Sequence, residues 1–235
     1  MTDFAVATGR KVVRRSLGGR VLTLALVLGA VGLAGAPVAY MLWPQPSPVA
    51  ADAPSLPITV GGVTFNVPPA AMRVPIQRRP GAQARIDLVF LWPSLTPPDP
   101  AVKATLAAPP NLNERIFVTI AGSDSTLPPA ERLKVIYPRY IARTAIVGPD
   151  GLSSAGFRTG SPYQGEDLIY DPATPEHFLL RCTRKAGTTP GMCLHERRIA
   201  TADVTVRFPR DWLADWRTVA SGIDQLIAGL RPSGG

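Results

Sequence analysis

The sequence predicts an α+β fold: an antiparallel sheet of about six or seven strands packed by a C-terminal helix, preceded by one N-terminal transmembrane helix. Three observations predict it. Short alternating or β-branched runs recur at tight spacing between residues 57 and 208, a single amphipathic stripe closes the chain, and one long uncharged apolar run precedes both. Closely spaced short strands favour antiparallel meander pairing, and a helix segregated to one face of such a sheet is the α+β solution to burying both.

Residues 1–20 carry Arg10, Lys11, Arg14, Arg15 and Arg20 against Asp3 alone, a net +4 that is half of the formal +8 of the 235-residue chain. The basic excess stands beside the most apolar segment, so it reads as a topogenic signal and not as a nucleic-acid footprint. Val21 to Trp43 follows, 23 residues without a charge. A helix needs about 20 residues to cross a hydrocarbon core of about 30 Å. Basic residues before the span keep the N-terminus in the cytoplasm, and Tyr40 and Trp43 fall where an interfacial aromatic belt is expected. A cleaved signal peptide shares that destination but has a shorter apolar core of about 7–15 residues, and Pro37 would follow the cut that Ala34 and Ala36 mark. Ala25, Gly29, Gly32, Ala36 and Ala39 line one face of the span, and small residues let membrane helices approach closely.

Residues 44–57 hold five prolines and no apolar periodicity, which predicts an extended tether reaching ~40 Å at about 3.1 Å per residue. The expected organisation is therefore a basic cytoplasmic tail (1–20), a transmembrane helix (21–43), a Pro-rich tether (44–57) and one folded domain (58–231). With 21 Arg to 4 Lys and abundant Ala, Gly and Pro, the composition is that of a GC-rich bacterial genome. The expected placement is then single-pass in the inner membrane, with the folded domain in the periplasm.

Within that domain, Gly61-Gly62 between two alternating runs predicts a hairpin over 57–68. Residues 85–92 and 115–120 read as strands, separated by a loop with six prolines in residues 93–110. Residues 127–141 read as a short helix with Pro in its first turn and Leu133, Ile136, Tyr137 and Tyr140 on one face, kinked or ended at Pro138. Residues 148–165 read as a long Gly-rich loop. Strands are predicted at 167–171, 177–184, 192–198 and 203–208. From Asp211 onward, Trp212, Trp216, Val219, Ile223, Leu226 and Leu230 form one apolar helical stripe ended by Gly229 and Pro232.

Catalytic signatures are missing from the sequence. Ser153 and Ser154 in "GLSSAG" each miss the nucleophile-elbow spacing by one residue, and no phosphate loop, dinucleotide glycine pattern or HExxH motif occurs. Glu166 and Asp167 are adjacent, so on a strand they point to opposite faces and form no acid–base pair. Cofactor-binding and metal residues are therefore not assigned. Cys182 and Cys193 are the only cysteines, and Gly187, Pro190 and Gly191 between them suit a hairpin loop. In an oxidising compartment such a pair is a disulfide. A zinc site would need His177 and His195 to converge with them, yet His177 and Cys182 are five apart and a regular strand aims them oppositely.

Basic residues cluster at Arg73, Arg78, Arg79 and Arg85, and again at Arg181, Arg184, Lys185, Arg197 and Arg198. Together with Phe157 and Tyr163 of the 148–165 loop, Arg78, Arg79, Arg184, Lys185, Arg197 and Arg198 are the candidate contacts to a partner or to anionic headgroups. The function these features imply is a membrane-anchored periplasmic binding or accessory protein, a subunit or assembly factor of an envelope complex, with another inner-membrane or periplasmic protein as partner and no nucleic acid. The alternatives are a periplasmic hydrolase with dispersed catalytic residues and a small-ligand-sensing domain. A deep pocket of convergent polar groups favours either alternative, and flat basic or apolar patches favour the binding module.

Overall fold

A computed structural model describes residues 49–50, 52–102, 111–124, 126–142, 145–184 and 191–232. The basic tail, the apolar span with its small-residue face (Ala25, Gly29, Gly32, Ala36, Ala39), residues 44–48 of the tether and Lys185 lie outside the described residues. Among those described, no helix is long and apolar enough to cross a membrane.

The fold is α+β. A hairpin of β1 (Leu56–Val60) and β2 (Val63–Val67) turns on Gly61 and Gly62, both at positive φ, as a two-residue turn that follows strand twist requires. Gly61 has a second reason to be glycine: a Cβ there would collide with the Thr201 carbonyl, and the Thr201 hydroxyl donates to the Gly61 carbonyl. A short β3 (Gly81–Ala82) adds to β1 in parallel, making a three-stranded sheet.

The main sheet has eight strands. They are β4 (Arg85–Leu91), β5 (Arg115–Gly122), β6 (Ile146–Val147), β7 (Ser153–Gly156), β8 (Glu166–Tyr170), β9 (Leu179–Thr183), β10 (Met192–Ile199) and β11 (Ala202–Pro209). Their order is β4-β5-β11-β10-β9-β8-β7-β6, and every neighbouring pair is antiparallel. Six or seven strands were expected. The predicted hairpin leaves for its own small sheet, while β7, from the segment expected to be loop, and the short β6 just before that segment join the main one. "SSAG" has no β-branched residue, and its extended form comes from pairing with β8, a tertiary influence on a weak local preference.

The two faces of this sheet are treated differently. The inner face, with Ile86, Leu88 and Phe90 of β4, Ile116, Val118 and Ile120 of β5 and Val204, Val206 and Phe208 of β11, joins the hairpin residues Ile58, Val60, Phe65 and Val67 in one buried core. The C-terminal helix α2 (Trp216–Gly229) completes it with Trp216, Val219, Ile223, Leu226 and Ile227. The helix begins one turn later than its stripe predicts. Arg210–Asp215 is a 3₁₀ turn, and Trp212 lies on it. The indole N–H of Trp212 donates to the Asn113 carbonyl and that of Trp216 to the Asp150 carbonyl, so the two rings are tied to different connections and cannot share one helical row.

On the outer face, a short helix α1 (Pro129–Val135) and the 3₁₀ turn after it cover β8 and β9, burying Tyr137, Phe157, Leu168 and Leu179 in a second, smaller core.

The tightest helix contact is a glycine. Trp92, stacked on Trp212 with ring centroids 4.8 Å apart, lies against Gly222, where a Cβ would come within 2.5 Å of the Trp92 ring. Alanine is the better helix former by about 1 kcal/mol, but forcing a methyl into a packed contact costs typically about 1–3 kcal/mol. Gly222→Ala is therefore expected to lower stability by about 1 kcal/mol in urea unfolding, and an unchanged or raised midpoint would show that Trp92 moves aside freely.

Candidate binding surfaces

Antiparallel pairing sets Cys182 of β9 opposite Cys193 of β10, and the two are joined by a disulfide with Cα atoms 4.0 Å apart. Both are buried on the inner face, next to Asp167 of β8 in the same cross-strand row. His195, two residues on, faces the same core at 2% exposure. Its Nδ1 donates to the Leu179 carbonyl at 3.1 Å, and its Nε2 has no partner among the described residues. Burial, reinforced by the nearby Arg197 charge, pushes its pKa down to about 4, so the ring stays neutral at physiological pH. His177 is exposed and pairs with Asp224 of α2 at 3.2 Å. The two histidines and the two cysteines thus go to three separate tasks, and no group of three metal-ligating side chains converges among the described residues.

A groove of about 660 Å³ lies where the sheet ends. Its floor is the inner face of β7 and β8 (Ser154, Asp167, Ile169), one wall is the 3₁₀ turn with Leu213 and Ala214, and the rim is the end strand β6. Asp167 is the one carboxylate on the floor. Arg184 grips its Oδ1 at 2.8 Å and Arg210 its Oδ2 at 2.7 Å. Gly156 makes room for this clamp, since a Cβ there would meet the Arg184 guanidinium at 2.6 Å. Asp167, Arg184 and Arg210 satisfy one another, and neither histidine lines the groove.

The outer face carries the opposite pattern. Beyond the part covered by α1, the cross-strand rows run Asp87, Thr119, Thr205, Glu196 and Val89, Phe117, Arg207, Leu194 across β4, β5, β11 and β10. Val89, Phe117 and Leu194 belong to neither core, although Phe117 and Leu194 are half-buried and Val89 is 8% exposed. Of these rows α1 reaches Glu196 of β10, through its ion pair with Arg132 at 3.0 Å.

The structure distributes the residues singled out from the sequence as follows. Arg78 donates to the Met72 carbonyl at 3.0 Å, and Arg79 is exposed. Arg197 points inward to Asp224 of α2 at 2.7 Å, and Arg198 forks onto Asp203 through Nε at 2.6 Å and Nη2 at 2.8 Å. Phe157 is 4% exposed and Tyr163 half-buried, each packed against Tyr137, so these aromatics build the second core instead of standing free on a loop. Glu166 and Asp167 do face opposite ways, Glu166 pairing with Arg181 at 3.0 Å on the outer side. The open rows around Phe117 went unseen in the sequence, because only the strand register brings β4, β5, β11 and β10 together.

No known family model matches the chain, and no curated protein does. Among solved structures it is similar to an immunity protein of the Stenotrophomonas maltophilia type IV secretion system, with a TM-score of 0.54 and 15% identity over 77% of this chain and 94% of that one. The likeness is one of fold. A more distant match is the Neisseria meningitidis iron-regulated outer membrane lipoprotein FrpD, with a TM-score of 0.42 and 12% identity over 78% of this chain and 97% of that one.

Two outcomes follow from this geometry. Replacing both cysteines by alanine removes the cross-link over a sequence separation of 11 and is expected to cost about 2–3 kcal/mol by loop entropy, read as a lower urea midpoint; a loss under 1 kcal/mol would show the β9–β10 pair to be held by packing alone. His195 binds a proton more weakly folded than unfolded, so its neutral burial stabilises fully above its unfolded pKa of about 6.5 and is lost as pH falls toward 4. His195→Leu should therefore flatten the fall in stability between about pH 6.5 and 4 relative to the natural chain; parallel pH profiles would contradict this.

Proposed function

We propose that the chain is a binding or accessory protein of the bacterial envelope that docks another protein through the outer face of its sheet. The observation that carries this reading is the row across β4, β5, β11 and β10 on that face, where, among the described residues, Val89, Phe117 and Leu194 belong to neither apolar core and Arg207 is exposed. A recessed apolar centre with charged residues around it has the layout of an interface core and its rim. The groove speaks for binding as well, because its Asp167 carboxylate is already held by two arginines and no histidine lines it.

The compartment reading rests on three supports. The disulfide suits an oxidising environment, the basic tail and apolar run suit a single-pass inner-membrane anchor with the domain in the periplasm, and the fold is similar to that of an immunity protein of a secretion system. The small-residue face of the apolar run (Ala25, Gly29, Gly32, Ala36, Ala39) is proposed as a contact for a partner helix in the bilayer.

Purification of the full chain in mild detergent is expected to recover one protein in stoichiometric amount, and Phe117→Glu should release it while thermal unfolding of the variant stays cooperative. Recovery of a monodisperse monomer alone would count against the reading.

A further inference from the structure

The outer face holds four carboxylates, and each one is already occupied. Arg85 grips Asp87 through Nε at 3.1 Å and Nη2 at 2.7 Å, and Thr119 donates to the same carboxylate at 2.9 Å. Glu196 takes Arg132 of α1 at 3.0 Å, Glu166 takes Arg181 at 3.0 Å, and Asp203 takes Arg198. What remains is cationic. Arg73, Arg115 and Arg207 form no ion pair among the described residues, and all three surround one side chain. Arg73 lies over the Phe117 ring, its guanidinium carbon 4.9 Å from the centroid. Arg207 is the residue directly opposite Phe117 on β11. Arg115 precedes Phe117 by two residues on β5 and so shares its face.

From this we infer that the outer face centred on Phe117 and ringed by Arg73, Arg115 and Arg207 is a docking site for an acidic protein surface. The inference rests on the protein-binding reading above and names the chemistry of its partner. The face supplies an apolar floor (Val89, Phe117, Leu194) with a three-cation rim and no free carboxylate, so its complement is an apolar centre flanked by Asp or Glu. Charge on the rim steers encounter and selects the partner, and the recessed floor gives the buried centre. The recess also argues against a lipid surface. Val89 is 8% exposed and Phe117 lies half-buried beneath a guanidinium, so neither side chain can insert into a bilayer, whereas side chains of a protein can reach down to them.

The test places a photo-crosslinking amino acid at Leu194 in the full chain, in the producing cell, alone and together with Arg73→Glu, Arg115→Glu and Arg207→Glu. The expected result is a discrete protein adduct whose partner surface is acidic, reduced on the order of tenfold by the triple charge reversal and kept by the triple Arg→Lys variant. Arg207→Glu by itself, on an exposed strand position, carries the same test if the triple variant unfolds. An adduct that charge reversal leaves unchanged overturns the acidic-partner inference and leaves the protein-binding reading standing. An adduct to phospholipid only, or no adduct at all, overturns both.

Discussion

One helix must cover a sheet wider than itself, and most of the molecule follows from that mismatch. Eight strands spaced about 4.8 Å apart span about 34 Å, while a 14-residue helix such as α2 is about 21 Å long. The hairpin of β1 and β2 makes up part of the difference, joining its four buried side chains to the same core and accepting the end of α2, where the Asn66 amide donates to the Leu230 carbonyl at 2.8 Å. At the other end the cover is a 3₁₀ turn, too slight to fill the space above β7 and β8. The groove is what remains there. On the outer face the shortage is greater: α1 has seven residues and reaches only β8, β9 and the edge of β10 through Arg132 and Glu196.

The mismatch explains why close contacts concentrate where they do. A short cover stabilises a wide sheet only if every contact it makes is tight, and Trp92 against the bare backbone of Gly222 is such a contact, extended by stacking on Trp212 and from there to Phe208. The disulfide lies beside that aromatic stack, with Cys193 directly opposite Phe208. It links β9 to β10 at the row where the helix-covered core gives way to the ionic clamp on Asp167, so the loss of apolar cover is met by a covalent cross-link and two charge-assisted hydrogen bonds.

Local pattern was enough for the elements whose residues act on their own neighbours. Gly61-Gly62 set the hairpin, "RIDLVFLW" became β4, residues 115–120 became the body of β5, and the stripe from Trp216 to Leu226 became α2. What local pattern missed was set by distant partners. β7 is a strand because β8 is beside it; Trp212 leaves the helix because its indole reaches Asn113; Phe157 and Tyr163 are buried because α1 folds over them. The candidate site is the extreme case. Arg73, Arg115 and Arg207 are separated by 42 and 92 residues in the sequence, and no periodicity links them. The basic cluster visible in the sequence, Arg73 to Arg85, divides on folding: Arg73 joins the rim, Arg78 donates to the Met72 carbonyl, Arg79 is exposed and Arg85 is spent on Asp87.

The division of charge is the feature that separates a binding surface from a solubilising one. Exposed ion pairs contribute little to stability, typically about 0–1 kcal/mol each, so the pairing of Asp87, Glu166, Glu196 and Asp203 is a weak device for holding the fold. Its stronger effect is on what the face presents. Each pair cancels a carboxylate that would otherwise repel an acidic visitor or capture one of the three remaining guanidiniums, and Asp87 shows how firmly: burial pushes its pKa up, yet hydrogen bonds from Arg85, Thr119 and Gln77 outweigh that and hold it below the usual range. A surface selected for solubility alone gains nothing from segregating its charges in this way, since interspersed signs serve solubility as well. A surface that must recognise carboxylates gains selectivity from every acid it neutralises beforehand, because the partner then meets cations without internal competitors.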